Sequence, residues 1–459
     1  MRTEDIKSVY FIGVGGIGMS AIARFFLNKG IPVAGYDRVS TTLIQTMQSE
    51  GADIHFEDEP ALIPEQFRDK EHTLVIYTPA IPNEHKELNY FRANQFEIQK
   101  RAQVLGMLTR SLKGLCVAGT HGKTTTTTML AHLLMQMPEK VNAFMGGISK
   151  NYGTNYLYSA DSDYVVVEAD EFDRSFHWLN PYISIITATD PDHLDVYGTY
   201  DAYLESFREY SHLIKSGGVL LVHTGLAFRP DLQPGVRQLS YSMTTGDFHA
   251  ENIRMGGGEI SFDFKSSFGD IPGVRLGVPV EVNIENGIAA MAVAQLCGVP
   301  DELIRKGMET FKGVDRRFDI KIKTDKLVLL SDYAHHPEEV RRCAESLKGV
   351  FNGRKITAIF QPHLYTRTRD LYKDFAQSLS IFDEVVLTEI YPARELPIPG
   401  VTSELIYERL HSNVEKWLIE SSNVLEFVRT HDFDVLVVLG AGNLDDKMSQ
   451  ISEILQKRA

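Results

Sequence analysis

The sequence predicts an α/β protein in which three parallel sheets follow one another along the chain. Short apolar runs that are typical of buried strands alternate with helical segments over all 459 residues. Two of these runs lead through a glycine-rich turn into a helix, and others end in acidic or mixed aromatic and basic clusters. Ligands bind at the carboxyl ends of strands in such sheets. We therefore predict three domains, over residues 1–110, 111–315 and 316–459.

The first domain begins with a βαβ unit. Strand Ser8–Ile12 is followed by a glycine turn, a helix and a second strand that ends in an acid. The residues at the fingerprint positions are Gly15, Gly16, Gly18 and Asp37. Their spacing predicts a Rossmann-like fold with a nucleotide or its diphosphate on the turn. The motif leaves the nucleotide open: a nicotinamide-dependent dehydrogenase fits it too, and Asp37 serves equally well as a cap of the next element.

The central domain opens with Leu115–Met129, LCVAGTHGKTTTTTM, a strand, a tight turn and a helix. The turn predicts a phosphate-binding loop of an ATPase, made of Gly119, Thr120, His121, Gly122, Lys123, Thr124 and Thr125. Only two residues separate its glycines, fewer than in the generic P-loop. Lys123 would reach the outer phosphates, and the Thr124 hydroxyl would bind Mg²⁺. The alternative is a structural turn with a solvated lysine, which leaves five consecutive threonines unexplained.

Two later strands of the central domain end in further candidate ligands. Tyr164–Val167 leads to Glu168, an acid where an NTPase holds its magnesium, and Ile183–Thr187 leads to a loop with His193. Magnesium prefers oxygen, so His193 is equally well interpreted as a loop histidine bonded to nearby carboxylates. Asn283 and Asn286 open an alanine-rich helix over Ile288–Leu296, where helix capping is their alternative role.

The third domain is predicted to be a second Rossmann-like α/β sheet with an anion site. Arg316 and Arg317 precede its first strands, and Asp332-Tyr333 follows one of them. A loop after another strand, Gln361–Arg369, combines His363 with Arg367. The alternative is a solvent-exposed loop without a ligand, but the repeated arginines favour recognition of an anion or a carboxylate.

Composition narrows the class of protein. A formal charge of −14 argues against nucleic-acid partners, and no apolar run has the length of a membrane span. Three widely spaced cysteines suit a reducing cytosol rather than a disulfide framework, so we expect a cytoplasmic enzyme. The residues alone indicate an ATP-dependent transferase or ligase that acts on a nucleotide-linked substrate.

Five stretches carry a resemblance to a known family: Gly13–Ser20, Gly119–Thr124, Asp190–Tyr197, Phe360–Leu371 and Ile390–Pro399. The short-spaced phosphate loop resembles that of the Mur ligases, the ATP-dependent amino-acid-adding enzymes of peptidoglycan synthesis. The other stretches resemble the member that joins L-alanine to UDP-N-acetylmuramate. The match extends over all three domains in order.

The resemblance implies a role for each candidate residue. UDP-N-acetylmuramate would bind at the first glycine turn, and ATP at the central loop with Lys123 on its phosphates. Thr124 and Glu168 would hold one Mg²⁺ and His193 a second, with Lys123, Glu168 and His193 as the catalytic set. The adenine and nucleotide contacts would come from Asn283, Asn286, Arg317 and Asp332, and the L-alanine contacts from Tyr333, His363 and Arg367. Val282 and Leu364 depart from the family pattern beside two of these positions.

Three competing interpretations follow from the same residues. A recycling ligase that attaches a preformed tripeptide to the same sugar differs in the first glycine turn and the third-domain loop. An NAD(P)-dependent dehydrogenase leaves the central loop and Glu168 unexplained, and a non-catalytic sensor leaves the intact phosphate and metal residues unexplained. We expect small-molecule substrates, no membrane or nucleic-acid partner, a monomer or weak homodimer, and closure of the third domain over the second to exclude water.

Overall fold

A computed structural model describes residues 5–78, 81–256, 259–393 and 395–458, apart from the side chains of residues 194 and 195. Within that part of the chain the strands form three sheets of five, ten and six members. The α/β prediction is confirmed, because parallel strands connected by helices dominate each sheet.

The first sheet is entirely parallel and has the order β3-β2-β1-β4-β5. Its strand β1 is buried along its whole length, as its unbroken apolar sequence predicts. The strands are β1 Ser8–Ile12, β2 Val33–Tyr36, β3 Asp53–His55, β4 Thr73–Tyr77 and β5 Glu97–Lys100, and the helices are α1 Ile17–Asn28, α2 Thr42–Ser49, α3 Lys86–Ala93 and α4 Arg101–Ser111.

The central sheet has the order β15-β14-β13-β12-β11-β10-β6-β9-β7-β8. Its middle is parallel, and β8 runs antiparallel to β7 at one edge. The strands are β6 Lys113–Ala118, β7 Asn142–Ser149, β8 Thr154–Leu157, β9 Tyr164–Glu168, β10 Ile183–Ile186, β11 Val219–His223, β12 Arg237–Tyr241, β13 Phe248–Gly256, β14 Glu259–Ser266 and β15 Ile271–Arg275. The helices are α5 Lys123–Leu134, α6 Leu194–Tyr197, α7 Tyr200–His212, α8 Val282–Leu296 and α9 Asp301–Thr310.

The third sheet has the order β16-β17-β21-β18-β19-β20, with only the edge strand β16 antiparallel among its described pairs. Its strands are β16 Asp319–Lys323, β17 Val328–Asp332, β18 Ile356–Phe360, β19 Glu384–Leu387, β20 Glu415–Leu418 and β21 Val435–Leu439. Its helices are α10 Pro337–Val350, α11 Tyr365–Leu379, α12 Glu404–Tyr407, α13 Val424–Thr430 and α14 Met448–Gln456.

The three sheets are distributed over two compact units. The first unit runs to Glu251 and adds Asp263–Val274 and Glu285–Phe311; the second takes up Asn252–Phe262, Arg275–Ile284 and the chain from Lys312 onward. The predicted domain boundaries, after residues 110 and 315, lie between the strands of successive sheets. The division into three domains at these residues stays a prediction.

One hydrophobic core joins the first sheet and the central sheet inside the first unit. Phe25 of α1 packs on Phe144 of β7 with ring centroids 5.9 Å apart. The buried Asn155 of β8 donates hydrogen bonds to the carbonyl oxygen of Ile17, at 2.5 Å, and to the Ser20 hydroxyl, at 3.1 Å. The first glycine turn is therefore fixed to the central sheet through the start of α1.

Helix α8 begins earlier than predicted. The helix starts at Val282, six residues before the predicted Ile288, because Ile284 and Ile288 both lie on its buried side. Asn283 and Asn286 thus lie within the first turns of the helix. The alternative role that the sequence left open, capping before the helix, does not hold for either residue.

None of the helices in the described ranges combines the length and the apolar character that a membrane span needs.

Candidate active site

The central glycine loop connects the buried strand β6 to helix α5. Gly119 and Gly122 have φ angles of +127° and +79°, which L side chains rarely adopt. A Cβ on Gly119 would also lie 2.8 Å from the backbone nitrogen of Ala188. Thr120, His121 and Gly122 form the turn, and Lys123, Thr124 and Thr125 form the first turn of α5. The loop thus presents a helix N-terminus, with its unpaired N–H groups, as an anion site.

Lys123 is folded back on its own loop. Its Nζ donates to the carbonyl oxygen of Gly119 at 2.6 Å and pairs with Glu171 Oε1 at 2.9 Å. Burial of Lys123 lowers its pKa, but the surrounding carboxylates, Glu171 first, outweigh burial and raise it. Burial raises the pKa of Glu171, whose side chain is 1% exposed. Glu171 is therefore the counter-ion of the predicted phosphate-binding lysine.

The two residues predicted for the first magnesium lie side by side. Thr124 Oγ1 donates to Glu168 Oε1 at 3.1 Å, and the N–H of Gly146 donates to Glu168 Oε2 at the same distance. A Cβ on Gly146 would overlap the Glu168 carboxylate, so a side chain there would displace the carboxylate from this position. A hydroxyl and a carboxylate oxygen are the hard ligands that Mg²⁺ prefers.

His193 faces the same group of carboxylates from the loop after β10. Its Nε2 lies 3.9 Å from Glu171 Oε1 and 3.6 Å from Asp192 Oδ2, too long for hydrogen bonds. Its ring packs edge-on against Phe172, with centroids 5.2 Å apart. Lys123, Glu171 and His193 thus form one cluster. Within the described ranges, no three His, Cys, Asp or Glu residues converge as a ready-made metal centre.

Of the two predicted adenine contacts, Asn286 lies at the phosphate loop. Its Oδ1 accepts a hydrogen bond from Thr126 Oγ1 at 3.2 Å and faces the Cα of Gly122, where a Cβ would come within 2.7 Å. Asn283, one helical turn earlier on α8, donates to the carbonyl oxygen of Val278 at 3.2 Å.

The first glycine turn is organised by the acid of its fingerprint. Asp37 Oδ2 accepts the N–H of Gly15 at 2.7 Å, and its Oδ1 accepts the N–H of Val39 at 3.3 Å. Gly16 has only Met19 near its Cα, whereas a Cβ on Gly18 would overlap the guanidinium of Arg101. Asp37 therefore shapes the turn and uses the Gly15 amide itself, which leaves the open side of the turn at Gly16.

The predicted nucleotide contacts of the third domain cluster at the end of β17. Asp332 accepts the N–H groups of Phe318 at 2.7 Å and Ala334 at 2.8 Å. Burial raises its pKa, while Arg317 acts in the opposite direction. The Arg317 guanidinium carbon lies 5.1 Å from the centre of the Tyr333 ring, so Arg317, Asp332 and Tyr333 are brought together.

The predicted amino-acid contacts His363 and Arg367 follow β18, in the loop after this strand and on helix α11. His363 stacks on Tyr391 with centroids 5.8 Å apart, and burial, helped by His335 and Arg367, lowers its pKa to about 4. His363 Nδ1 and Arg367 Nη1 are buried, and neither has a hydrogen-bond partner among the described residues. A buried guanidinium N–H without a partner is rare, and that of Arg367 suits an anionic ligand such as a carboxylate.

Comparison with known families follows the order of the three sheets. Residues 8–113 match the model of the Mur ligase family catalytic domain, residues 117–294 the Mur ligase middle domain, and residues 316–442 the Mur ligase glutamate ligase domain. The chain is 60% identical to UDP-N-acetylmuramate–L-alanine ligase of Phocaeicola vulgatus over 458 residues, which covers 100% of both chains. It is 55% identical to the enzyme of that name from Parabacteroides distasonis, over 100% of this chain and 99% of the relative.

The chain belongs to the Mur ligase family.

Solved structures agree with this Mur ligase assignment. UDP-N-acetylmuramate-alanine ligase of Thermotoga maritima superposes with a TM-score of 0.82 at 26% identity, over 98% of this chain and all of that chain. A murein peptide ligase of Psychrobacter arcticus shares the fold, with a TM-score of 0.69 at 20% identity over 98% of each chain. The predicted family and three-part α/β architecture are confirmed.

The sequence did not reveal the partner of Lys123 in this Mur ligase. Glu171 stands three residues after Glu168 in the run Ala169-Asp170-Glu171, but only the fold shows that it turns back to the loop. A second acid soon after a metal-site acid was the available signal. Residues 79–80, and residue 394 within the resembling stretch Ile390–Pro399, lie outside the described residues.

Proposed function

We propose that this protein joins L-alanine to the lactyl carboxylate of UDP-N-acetylmuramate at the expense of ATP, with release of ADP and phosphate. The observation that carries the proposal is the meeting of Lys123, Thr124 and Glu168 at the N-terminus of α5. A helix N-terminus with a lysine and a hydroxyl–carboxylate pair suits a nucleoside triphosphate. The names of its full-length relatives then point to the acceptor and the amine.

The chemistry needs ATP because a carboxylate is a poor acyl donor. Transfer of the γ-phosphoryl group to the lactyl carboxylate oxygen gives an acyl phosphate and ADP. The amine of L-alanine then attacks the acyl carbon, the amide bond forms, and the carbon–oxygen bond breaks with loss of inorganic phosphate. Phosphoryl transfer is accelerated by positioning and by positive charge, which Lys123 supplies once it leaves Glu171 for the phosphates.

Magnesium fits the residues present at the loop. Thr124 Oγ1 and Glu168 Oε1, 3.1 Å apart, would hold one ion, and His193 would bind at a second. When bound, the ion neutralises the charge that develops on the phosphate oxygens. Two protein oxygens are a typical share for Mg²⁺, which keeps waters and substrate phosphates as its other ligands.

The groups of the second unit suit the nucleotide and the amino acid. Arg317 and Asp332 would contact the nucleotide. The buried donors of His363 and Arg367 would take the L-alanine carboxylate, with Tyr333 beside them. At neutral pH His363 is uncharged, because its pKa lies near 4, so Arg367 supplies the positive charge.

The proposal is tested by phosphate release from ATP with purified protein and UDP-N-acetylmuramate, adding L-alanine or the tripeptide in turn, with and without Mg²⁺. We expect release that depends on L-alanine and Mg²⁺, and a new amide-linked product by mass spectrometry. Release with the tripeptide alone would favour the recycling ligase. No release with either amine would refute the proposal.

We further propose that the protein acts in the cytoplasm, where ATP and sugar nucleotides are available and where free cysteines are stable. It would work as a monomer or weak homodimer. Light scattering after gel filtration tests this, since a stable oligomer would elute at a clear multiple of 51.7 kDa.

A further inference from the structure

Arg101 stands between the first glycine turn and the acidic loop of the central sheet. It is the first residue of α4, directly after β5. Its guanidinium lies on the Cα of Gly18, where a Cβ would overlap Nη1 and approach Cδ to 3.0 Å. Its Nη2 donates to Asp170 Oδ2 at 3.1 Å, two residues after the predicted magnesium ligand Glu168. Gly18, the third glycine of the fingerprint, therefore leaves room for the Arg101 side chain.

The Arg101 guanidinium has more N–H donors than its bond to Asp170 uses. It carries five N–H groups, and within the described ranges its hydrogen bond is the one to Asp170. Its side chain is 27% exposed, so part of it is open to a ligand at the turn. The exposed fraction of Asp170 is 38%, and an ion pair this open adds little to stability. The N-terminal end of α1 beside Gly18 is itself positive, so an anionic ligand there would interact favourably with both the helix end and the guanidinium.

We propose that Arg101 is a substrate-binding residue that takes an anionic oxygen of the bound sugar nucleotide. This inference rests on the proposed function. The substrate carries anionic oxygens on its diphosphate and on its lactyl carboxylate, and it has to extend from the glycine turn to the phosphate loop. Arg101 touches both ends of that path, through Gly18 and through Asp170. It fixes the reacting end of the substrate near Glu168, while Asp170 holds the guanidinium in place.

The test is calorimetric binding, without ATP, of UDP, UDP-N-acetylglucosamine and UDP-N-acetylmuramate to four proteins. These are the wild type, Arg101→Met, Arg101→Lys and Arg110→Met. Arg110 is the matched control, since it is exposed near the other end of the same helix. Circular dichroism and thermal unfolding establish that each variant is folded.

We expect Arg101→Met to weaken binding of UDP-N-acetylmuramate by about 10- to 100-fold, the range for a hydrogen bond to a charged group. Arg101→Lys should recover part of the loss, and Arg110→Met should bind as the wild type does. Equal weakening for all three ligands would assign Arg101 to the diphosphate. Weakening confined to UDP-N-acetylmuramate would assign it to the carboxylate. Unchanged binding of all three ligands to Arg101→Met would overturn the inference.

A second variant separates binding from a merely structural role. Asp170→Asn keeps an oxygen that can accept from Arg101 and hold it in place but removes the competing negative charge, so UDP-N-acetylmuramate should bind at least as tightly as to the wild type. If Asp170→Asn lost as much affinity as Arg101→Met, the ion pair itself would be what matters, and the inference would fail. Failure of the proposed function is distinguishable, because the wild type would then bind the sugar nucleotide without releasing phosphate when ATP and L-alanine are added.

Discussion

The charge of Lys123 is the residue-scale feature on which the reaction depends most. The Lys123 side chain is 15% exposed, and its ammonium group pairs with Glu171. We predict that Lys123→Met lowers the rate of L-alanine-dependent phosphate release by about 100- to 1,000-fold, the effect of losing one electrostatic donor. Lys70→Met, at an exposed turn, is the control and should leave the rate unchanged. A Lys123→Met enzyme of near wild-type rate would mean that the loop does not act on the phosphates.

Arg367 gives a second residue-scale prediction. Its buried Nη1 has no partner among the described residues, and a lysine would not reproduce the planar guanidinium fork. Arg367→Lys should raise the KM for L-alanine by about tenfold or more and leave the KM for UDP-N-acetylmuramate unchanged. Arg369→Lys is the matched control two residues later on α11, where the side chain is exposed and pairs with Asp370. A KM shift for the sugar nucleotide instead would assign Arg367 to the other substrate.

At the scale of elements, α4 packs closely on the segment Phe172–Trp178 that follows Glu168 and Glu171. A Cβ on Gly106 of α4 would overlap the carbonyl oxygen of Trp178 and lie 3.0 Å from its carbonyl carbon. We predict that Gly106→Ala destabilises the protein by about 1–3 kcal/mol, because backbone has to move to make room. The midpoint of thermal unfolding measures the change.

The control for this prediction is Gly349→Ala, in helix α10. A Cβ there meets nothing within 4 Å, so the substitution should raise stability by up to about 1 kcal/mol through helix propensity. Two helical glycines should therefore change the melting temperature in opposite directions. A stabilised Gly106→Ala protein would contradict the close packing of α4.

His132 connects three elements of the first unit and makes their packing sensitive to acid. It contacts the Tyr152 hydroxyl at 2.8 Å and Thr310 Oγ1 at 3.0 Å, and burial lowers its pKa to about 4. The folded protein therefore binds a proton less readily than the unfolded chain, whose histidines have a pKa near 6.5. The contribution of neutral His132 to the free energy of unfolding is therefore complete above pH 6.5 and decreases as the pH falls toward 4.

We predict a loss of about 2–3 kcal/mol from this histidine between pH 7 and pH 4.5. His132→Gln keeps a donor and an acceptor but does not titrate, so its melting temperature should fall less than that of the wild type over this interval. Parallel pH profiles for the two proteins would show that His132 does not carry the effect.

The sequence predicted those elements whose signal is local. Strands such as Ile356–Phe360 are buried on both faces, so their continuous apolar runs mark them. Edge strands such as Glu97–Lys100 and Glu415–Leu418 were not predicted. Their residues are partly exposed, and they form a strand only because a neighbouring strand supplies the hydrogen bonds.

The same division applies to the candidate site. The loop residues and Glu168 follow strands directly, and the alternation of strands and helices was enough to bring them together. The seating of Arg101 on Gly18 and the return of Glu171 to Lys123 are tertiary contacts over 83 and 48 positions in sequence, which no local pattern encodes.

At the scale of the whole molecule, the groups proposed for one reaction are divided between two compact units. The first contains both glycine turns, Lys123, Glu168 and His193; the second contains Arg317, Asp332, His363 and Arg367.

The net charge of the molecule gives a prediction at this scale. With a formal net charge of −14, the protein should not bind a polyanion. Nucleic-acid binding depends on lysine and arginine side chains that displace counterions from the phosphates. No mobility shift of a short DNA duplex is expected at low salt, where electrostatic attraction would be strongest. A shift that disappears with added salt would reveal a basic surface that the overall charge conceals.

The pairing of Lys123 with Glu171 sets a threshold for what the loop accepts. A ligand can recruit Lys123 only by compensating a carboxylate that is 1% exposed, and an uncompensated buried charge costs about 3–5 kcal/mol. We expect inorganic phosphate or a nucleoside monophosphate, which would offer fewer contacts, to compensate this charge less fully than a triphosphate with its cation. The cation would also place a charge of opposite sign beside the released carboxylate.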